Sequence, residues 1–217
     1  LVYGEDMKVV KESWGVLLTS ATGLFISLYF AKYYKIIYLF SFLFCVVFLF
    51  SLYFFRDPER NYTFKENEFP SPADGRVFLI DRKTIPGSVI IRIFMSVLNV
   101  HLQRSPLNGK VKKTEFVPGR FHIAYHPLAK DNQRNLIEFS DTQGNLIKIE
   151  QITGALARRI ACYVKEGDSV KKGDKIGMIY LGSQVAVYLP EDKFEVITKE
   201  GDNVLANRTV IALWKKN

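Results

Sequence analysis

Cysteine and histidine are both scarce, with two and three occurrences in 217 residues. Cys45 lies in an apolar run and Cys162 in a strand-like one. Two such cysteines make no disulfide framework, which fits a reducing compartment. The histidines are His101, His122 and His126. His122 and His126 stand at i and i+4, but Pro127 follows directly and no third ligand is apparent, so no metal is expected. No glycine-rich phosphate loop occurs, and no alternation of strands and helices, which excludes a dinucleotide-binding architecture. Acidic residues number 22 against 30 Lys and Arg, a net charge of +8. Residues 1–55 contribute +1 of that, leaving +7 on the remainder. A basic domain suits anionic lipid or nucleic acid. No nucleic-acid motif is present, and an apolar N-terminal region makes lipid the expected partner.

That region is where charge is missing altogether. Residues 15–30 and 36–55 carry no ionisable acid or base of the Asp, Glu, Lys or Arg type. The second run is long enough, at about 1.5 Å of rise per residue, to cover a hydrocarbon core of about 30 Å. The first is shorter and suits tilting, extension or a shallow dip. A cleavable signal peptide is a poor reading, because the second run is too long and "FFRDPER" is no small-residue cleavage site. The expectation is a membrane-associated helical hairpin over 1–55. Lys8, Lys11, Arg56, Arg60 and Lys65 flank it, against Lys32 and Lys35 in its loop. This distribution puts both termini, and the domain at 56–217, on the cytoplasmic face of the cell membrane.

The remainder is rich in β-branched and aromatic runs separated by Gly, Pro, Asn and Asp. The pattern predicts strands at 75–81, 88–103, 110–117, 135–141 and 146–153, and a short helix running into a strand over 154–164. Two more strands flank Gly182-Ser183 within 176–190. The expected fold class is mainly β, an antiparallel sandwich or barrel-like body. An internal repeat stands out: "KEGDSVKKGDKIGMI" (165–179) is echoed by "KEGDNVLANRTVIAL" (199–213). Its Gly-Asp pairs supply tight turns and direct Val170 and Val204 to the core. This phrase resembles the half-motif of lipoyl and biotinyl carrier domains. A carrier function is disfavoured, because Lys193 lies too far beyond Ile176 for the carrier hairpin. A non-catalytic membrane adaptor with biotinyl-like halves remains one reading of such a chain.

Gly182-Ser183 offers another. A serine hydroxyl needs a base to become a nucleophile. Its Oγ can attack the carbonyl of the preceding residue, and glycine, lacking Cβ, leaves that carbonyl open and tolerates strain. The ester so formed eliminates to dehydroalanine, which hydrolyses to a pyruvoyl group and ammonia. His101, near the end of the long strand motif, is a candidate base. Asp74, at the "PADG" turn, is a candidate orienting acid.

"FFRDPER", "SPADGRV", "FMSVLNVHLQRSP", "QITGALARRIACYVKEGDSVKKGDKIG" and "LGSQVAVYLP" together resemble the short prokaryotic form of phosphatidylserine decarboxylase and the similar archaetidylserine decarboxylases. The resemblance covers nearly all of 53–213, in order. It implies a proenzyme that cuts itself between Gly182 and Ser183. The products, chains 1–182 and 183–217, would stay together as a heterodimer. It implies a pyruvoyl cofactor derived from Ser183 that forms a Schiff base with the serine headgroup of a membrane phospholipid. The product is then phosphatidylethanolamine or archaetidylethanolamine, with carbon dioxide. Carried over by position, Ser183, His101 and Asp74 match the self-cleavage triad. Arg104, Arg158 and Arg159 are candidates for the lipid phosphate or substrate carboxylate. Asn99 stands where the family often has Asp, and Arg104 where longer members have a second histidine. Gln184 replaces a commoner Arg, Ser or Thr. A homo-oligomer is left open.

Overall fold

The computed structural model describes residues 8–122, 129, 131–155 and 159–215. Chain contacts divide it into two units, Leu1–Glu59 and Arg60–Asn217.

The first unit follows from the missing charge. Helix α1 spans Trp14–Ala31, preceded by a 3-10 turn at Lys11–Ser13, and α2 spans Ile37–Phe54. The first helical segment is longer than the uncharged run alone: Lys11–Ala31 has 21 residues and mean hydropathy 1.5. The second has 18 residues and mean hydropathy 2.4. Both are long and apolar enough to cross a membrane, and both are apolar on every face while burying little of themselves in protein. Phe25, Phe42 and Leu39 are exposed. The serines inside the helices satisfy themselves. The Ser20, Ser41 and Ser51 hydroxyls donate to carbonyls four residues back. Gly23 lets the helices approach: a Cβ there would stand 2.4 Å from the Phe44 ring. After α2 the chain pairs Arg56–Asp57 with Lys8–Val9, so this unit runs past the apolar run to Glu59.

The second unit is built from strands whose named pairings are all antiparallel. One curled sheet has eight strands. In spatial order they are Ser169–Val170, Gly109–Val117, Arg134–Asp141, Leu146–Thr153, Ser183–Pro190, Ser88–Met95, Gly75–Asp81 and Asn203–Val204. Two three-stranded sheets accompany it. One places Lys175–Ile179 between Ile160–Cys162 and Leu102–Arg104; the other places Val210–Trp214 between Phe194–Val196 and Glu68–Pro70. The fold class is mainly β, as the alternating runs imply. Period-two alternation sends Val185, Val187, Leu189, Ile91, Ile93, Ile137 and Ile149 to one face, where they form the main core. Ile90, Ile152 and Ala186 form a smaller cluster on the other.

The repeat has a structural meaning. Ser169–Val170 and Asn203–Val204 close opposite ends of the eight-stranded sheet, and Val170 and Val204 are buried in the core. The symmetry reaches further, to "SPADGRV" at 71–77 and "SPLNGKV" at 105–111, again 34 residues apart. The Gly201 N–H donates to Val77 O at 2.7 Å, and the Gly167 N–H to Val111 O at 2.9 Å. The Asn207 N–H donates to Ser71 O at 2.9 Å, and the Gly173 N–H to Ser105 O at 2.8 Å. Gly173 and Asn207 occupy equivalent left-handed positions, with φ 92° and 51°. They face each other: a Cβ on Gly173 would lie 2.8 Å from Asn207 Nδ2.

Two expectations change in detail. The run 88–103 is not one strand, because the chain leaves the large sheet after Met95 and enters the Leu102–Arg104 strand of another sheet. Asn99 ends the first strand: its Oδ1 accepts from Ser96 N at 2.9 Å and Ser96 Oγ at 3.0 Å, a local turn that competes with the ladder. In 154–164, Ile160–Cys162 is a strand, and residues 156–158, on which the short helix falls, lie outside the described residues.

Candidate active site

Gly182-Ser183 is not a hairpin turn. The Lys175–Ile179 strand before it belongs to one sheet and the Ser183–Pro190 strand after it to another, so the dipeptide is a crossing between sheets. The crossing demands an abrupt change of direction. Leu181 and Gly182 supply it with consecutive left-handed conformations, φ 42° and 67°. Glycine adopts this at little expense, whereas a leucine there stores about 1–2 kcal/mol. A Cβ on Gly182 would meet nothing within 4 Å, so conformation rather than crowding favours glycine.

Ser183 is the first residue of the strand and fully buried. It sits between Met95 and Thr153 on the two flanking strands, on the face that holds the core. Its Oγ donates to Met95 Sδ at 3.5 Å, its one hydrogen bond among the described residues. This end of the core is polar. Gln103, Gln151 and Thr153 are fully buried, and Asn135 nearly so.

His101 comes to the same end because Met95, directly across from Ser183, leads straight into the 96–99 turn. The imidazole is fully buried. Its Nδ1 lies 3.0 Å from the Asn99 carbonyl, which can only accept. Nδ1 therefore carries a proton, and the tautomer this selects has its lone pair on Nε2. The His101 carbonyl accepts from Ile179 N at 3.3 Å and from Gln103 Nε2 at 2.7 Å, which anchors its main chain four residues before Ser183.

Asp74 is buried at the start of the Gly75–Asp81 strand, and its carboxylate faces Arg60. Arg60 Nη2 donates to Asp74 Oδ2 at 2.7 Å, and Nη1 donates to Oδ1. Asp74 Oδ1 also accepts from Ala206 N at 2.8 Å, and Arg60 Nη1 donates to Ala206 O at 2.6 Å. Asn207 Nδ2 closes the cluster on Arg60 O at 2.8 Å. Among the described residues these bonds occupy the carboxylate, and none runs to His101. In the other half of the repeat, Asn108 takes the place of Asp74: its Oδ1 accepts from Lys172 N at 2.9 Å. The turn bond alone therefore needs no charge.

The candidate arginines divide. Arg104 Nη1 donates to Gly173 O at 3.0 Å and lines an open cleft with Asp168, Asp174 and Lys175. Arg159 is exposed, its Cζ 5.6 Å from the Tyr180 ring centroid, and its carbonyl accepts from Tyr180 N at 3.1 Å. Arg158 lies outside the described residues, as does His126. His122 is held by its backbone: its N–H donates to Asn132 Oδ1 and its carbonyl accepts from Asn132 Nδ2, both at 2.7 Å.

Sequence reasoning missed Arg60 as the partner of Asp74, and missed Met95, Gln103, Gln151 and Asn135 around Ser183 and His101. A signal for the first existed in the pairing of "SPADGRV" with "SPLNGKV", where an acid replaces an amide at a shared turn position. The buried amides carried none, since glutamine in a strand reads as surface.

A family profile described as Phosphatidylserine decarboxylase matches residues 47–212. A phosphatidylserine decarboxylase proenzyme of Prosthecochloris aestuarii is 41% identical over 169 residues, covering 76% of this chain and 77% of the relative. A protein of Methanothermobacter thermautotrophicus, named as an archaetidylserine decarboxylase proenzyme, is 42% identical over 183 residues, covering 76% and 81%. A phosphatidylserine decarboxylase proenzyme of Paraburkholderia xenovorans is 34% identical over 209 residues, covering 94% and 96%.

Proposed function

The chain belongs to the phosphatidylserine decarboxylase family, and on that footing we propose that it is a proenzyme that cuts its own Gly182–Ser183 bond and then decarboxylates a serine phospholipid. The observation that carries this reading is the Leu181-Gly182 left-handed pair. It delivers a buried serine to the start of a central strand, at the end of the core where the His101 turn begins.

His101 Nε2 takes the proton of Ser183 Oγ. The Oγ adds to the Gly182 carbonyl carbon, the peptide C–N bond breaks, and the nitrogen leaves as the amine of residue 183. The peptide has become an ester. Loss of the Ser183 Cα proton then breaks the Cβ–Oγ bond, and Gly182 departs as a carboxylate. The dehydroalanine left at 183 tautomerises to an imine, water adds, and ammonia leaves a ketone. Release of strain at Leu181 favours the first step. Asp74 acts at one remove, seating the 204–207 turn through Arg60 and Ala206, while the Asn99 carbonyl orients the imidazole.

The residues present fit a pyruvoyl cap at 183. Ser183–Pro190 is paired on both sides, with Ser88–Met95 and Leu146–Thr153, so the new terminus stays seated after the cut and chains 1–182 and 183–217 stay together. When formed, the cap supplies an electron sink for an amine that loses carbon dioxide. Arg159, exposed beside Tyr180, is the described arginine suited to an anionic headgroup. The two apolar helices hold the enzyme at the membrane, where the substrate headgroup stays, and the excess of Lys and Arg on their outer flanks puts the catalytic unit on the cytoplasmic face.

Mass spectrometry of the purified protein tests the cut. The expected result is a C-terminal fragment of residues 183–217 without a free amine, and a Ser183→Ala chain that stays whole. An intact wild-type chain with an ordinary serine leaves only the non-catalytic membrane reading. Carbon dioxide release from phosphatidylserine and archaetidylserine micelles then assigns the lipid backbone.

A further inference from the structure

Three carboxamides, Asn135, Gln151 and Gln103, lie buried beside the apolar core and form one chain. Asn135 Nδ2 donates to Gln151 Oε1 at 2.8 Å. Gln151 Nε2 donates to Gln103 Oε1 at 2.8 Å. Gln103 Nε2 then donates to His101 O at 2.7 Å and approaches Met95 Sδ at 3.6 Å. Met95 Sδ is in turn the acceptor of Ser183 Oγ at 3.5 Å. Gln103 and Gln151 are fully buried, and Asn135 is 5% exposed. Burying an amide is unfavourable unless its groups are bonded, so such a chain persists only when each link is made. The fold clears a path for it. Gly177 lies against Gln151, and a Cβ there would stand 2.4 Å from Gln151 Nε2.

The direction of the chain matters. Gln103 spends its oxygen on Gln151, so its nitrogen must face the His101 carbonyl and the Met95 sulfur. Both ends of the catalytic pair are thereby tied to one side chain: the main chain of the base, and the sulfur that fixes where the serine hydroxyl points. A thioether accepts a hydrogen bond weakly and does not take the proton. The Ser183 hydroxyl is therefore aimed without being trapped.

We propose that Gln103 and Met95 are positioning residues of the self-cleavage, Gln103 by holding the His101 main chain and Met95 by orienting the Ser183 hydroxyl. This rests on the reading of Gly182-Ser183 given above. A displacement of about 1 Å in such a pair slows the chemistry by as much as about 100-fold.

The test uses the full chain made by cell-free synthesis in detergent micelles, with release of the 183–217 fragment followed in time across pH 5–9. Gln103→Glu is the diagnostic variant. When protonated, its carboxyl donates to His101 O and still accepts from Gln151. When ionised, it has no donor and sets an anion against a carbonyl. The ratio of variant to wild-type cleavage rate should therefore fall by tenfold or more as pH rises. Unfolding of the variant would mimic this fall, so circular dichroism of the Ser183→Ala, Gln103→Glu chain must stay native across the same pH range; with the fold kept, a side chain that only fills space gives a flat ratio. Met95→Leu conserves volume and removes only the sulfur acceptor; it should slow the cut by roughly threefold or more. If Gln103→Glu does not fold, Met95→Leu decides alone. A Met95→Leu chain that cuts within twofold of wild type, or a flat Gln103→Glu ratio, overturns the proposal. A wild-type chain that never cuts overturns the underlying reading as well, which separates the two failures.

Discussion

Replacing Asp74 by Asn isolates the charge in the buried cluster from its hydrogen bond. In the other half of the repeat, Asn108 already makes the equivalent turn bond with an amide oxygen, 2.9 Å from Lys172 N against 2.8 Å for Ala206 N and Asp74. Asp74→Asn should therefore keep the turn. What it loses is the counter-charge of Arg60. The two side chains are only 6% and 5% exposed, so the guanidinium would be left buried and unbalanced. Breaking a buried pair from one side destabilises by about 3–5 kcal/mol. Adding Arg60→Met removes the stranded charge. It also removes the bond to Ala206 O, a loss of about 1–2 kcal/mol. The double variant should thus lie within about 2 kcal/mol of the parent, recovering most of the single-variant loss. A Ser183→Ala, Trp14→Phe background keeps the chain whole and leaves Trp214, packed 3.9 Å from Phe194, as the fluorescent reporter of the β unit during urea unfolding. Additive losses, or a single-variant loss under about 1 kcal/mol, would refute the coupled-pair account. With Ser183 restored, the double variant should cut at a rate near wild type. A folded double variant that does not cut would mean that Asp74 acts on His101 directly.

Gly177→Ala pushes a methyl into Gln151 Nε2 and the Ala161 carbonyl, at 2.4 and 2.5 Å. About 1–3 kcal/mol of stability should be lost in the same urea assay, and a neutral result would mean that the strand shifts to make room. Gly182→Ala meets no atom within 4 Å but must hold φ near 67°. Its stability should fall by only about 1 kcal/mol, and cleavage should slow without stopping. A folded but wholly uncut variant would show that the methyl blocks attack on the carbonyl. Tyr188 donates to Glu150 Oε2 at 2.7 Å, and burial, helped by the Glu150 charge, raises its pKa. The unfolded phenol ionises first, so stability is intact below its ordinary value near 10 and declines as pH rises above it. Tyr188→Phe should flatten that decline between pH 9 and 11. An unchanged slope would show that Tyr188 makes no contribution to it.

Most strand spans, the paired apolar helices and the Gly182-Ser183 dipeptide ahead of a strand were legible in the sequence because each is a local pattern. Alternation sets which face of a strand is buried, and a run without charge needs hydrocarbon whatever lies beside it. The lipoyl-like repeat was legible for the same reason, since Gly167 and Gly201 each sit in the left-handed region their Gly-Asp turns require. The run 88–103 misled because its composition is strand-like throughout. A single Asn99 side chain, bonded to Ser96, breaks it and thereby creates the turn that carries His101.

Composition and periodicity along the chain were enough for a β-rich unit joined to two apolar helices, and for a serine poised behind a glycine. Which groups surround that serine depended on folding. Ser183 meets Met95 across 88 positions, Gln151 reaches Gln103 across 48, and Asp74 is bonded to Ala206 across 132. Partners this distant leave no periodic trace. Burial alone makes an amide or a carboxylate seek them, and it acts only once the strands have brought them within reach.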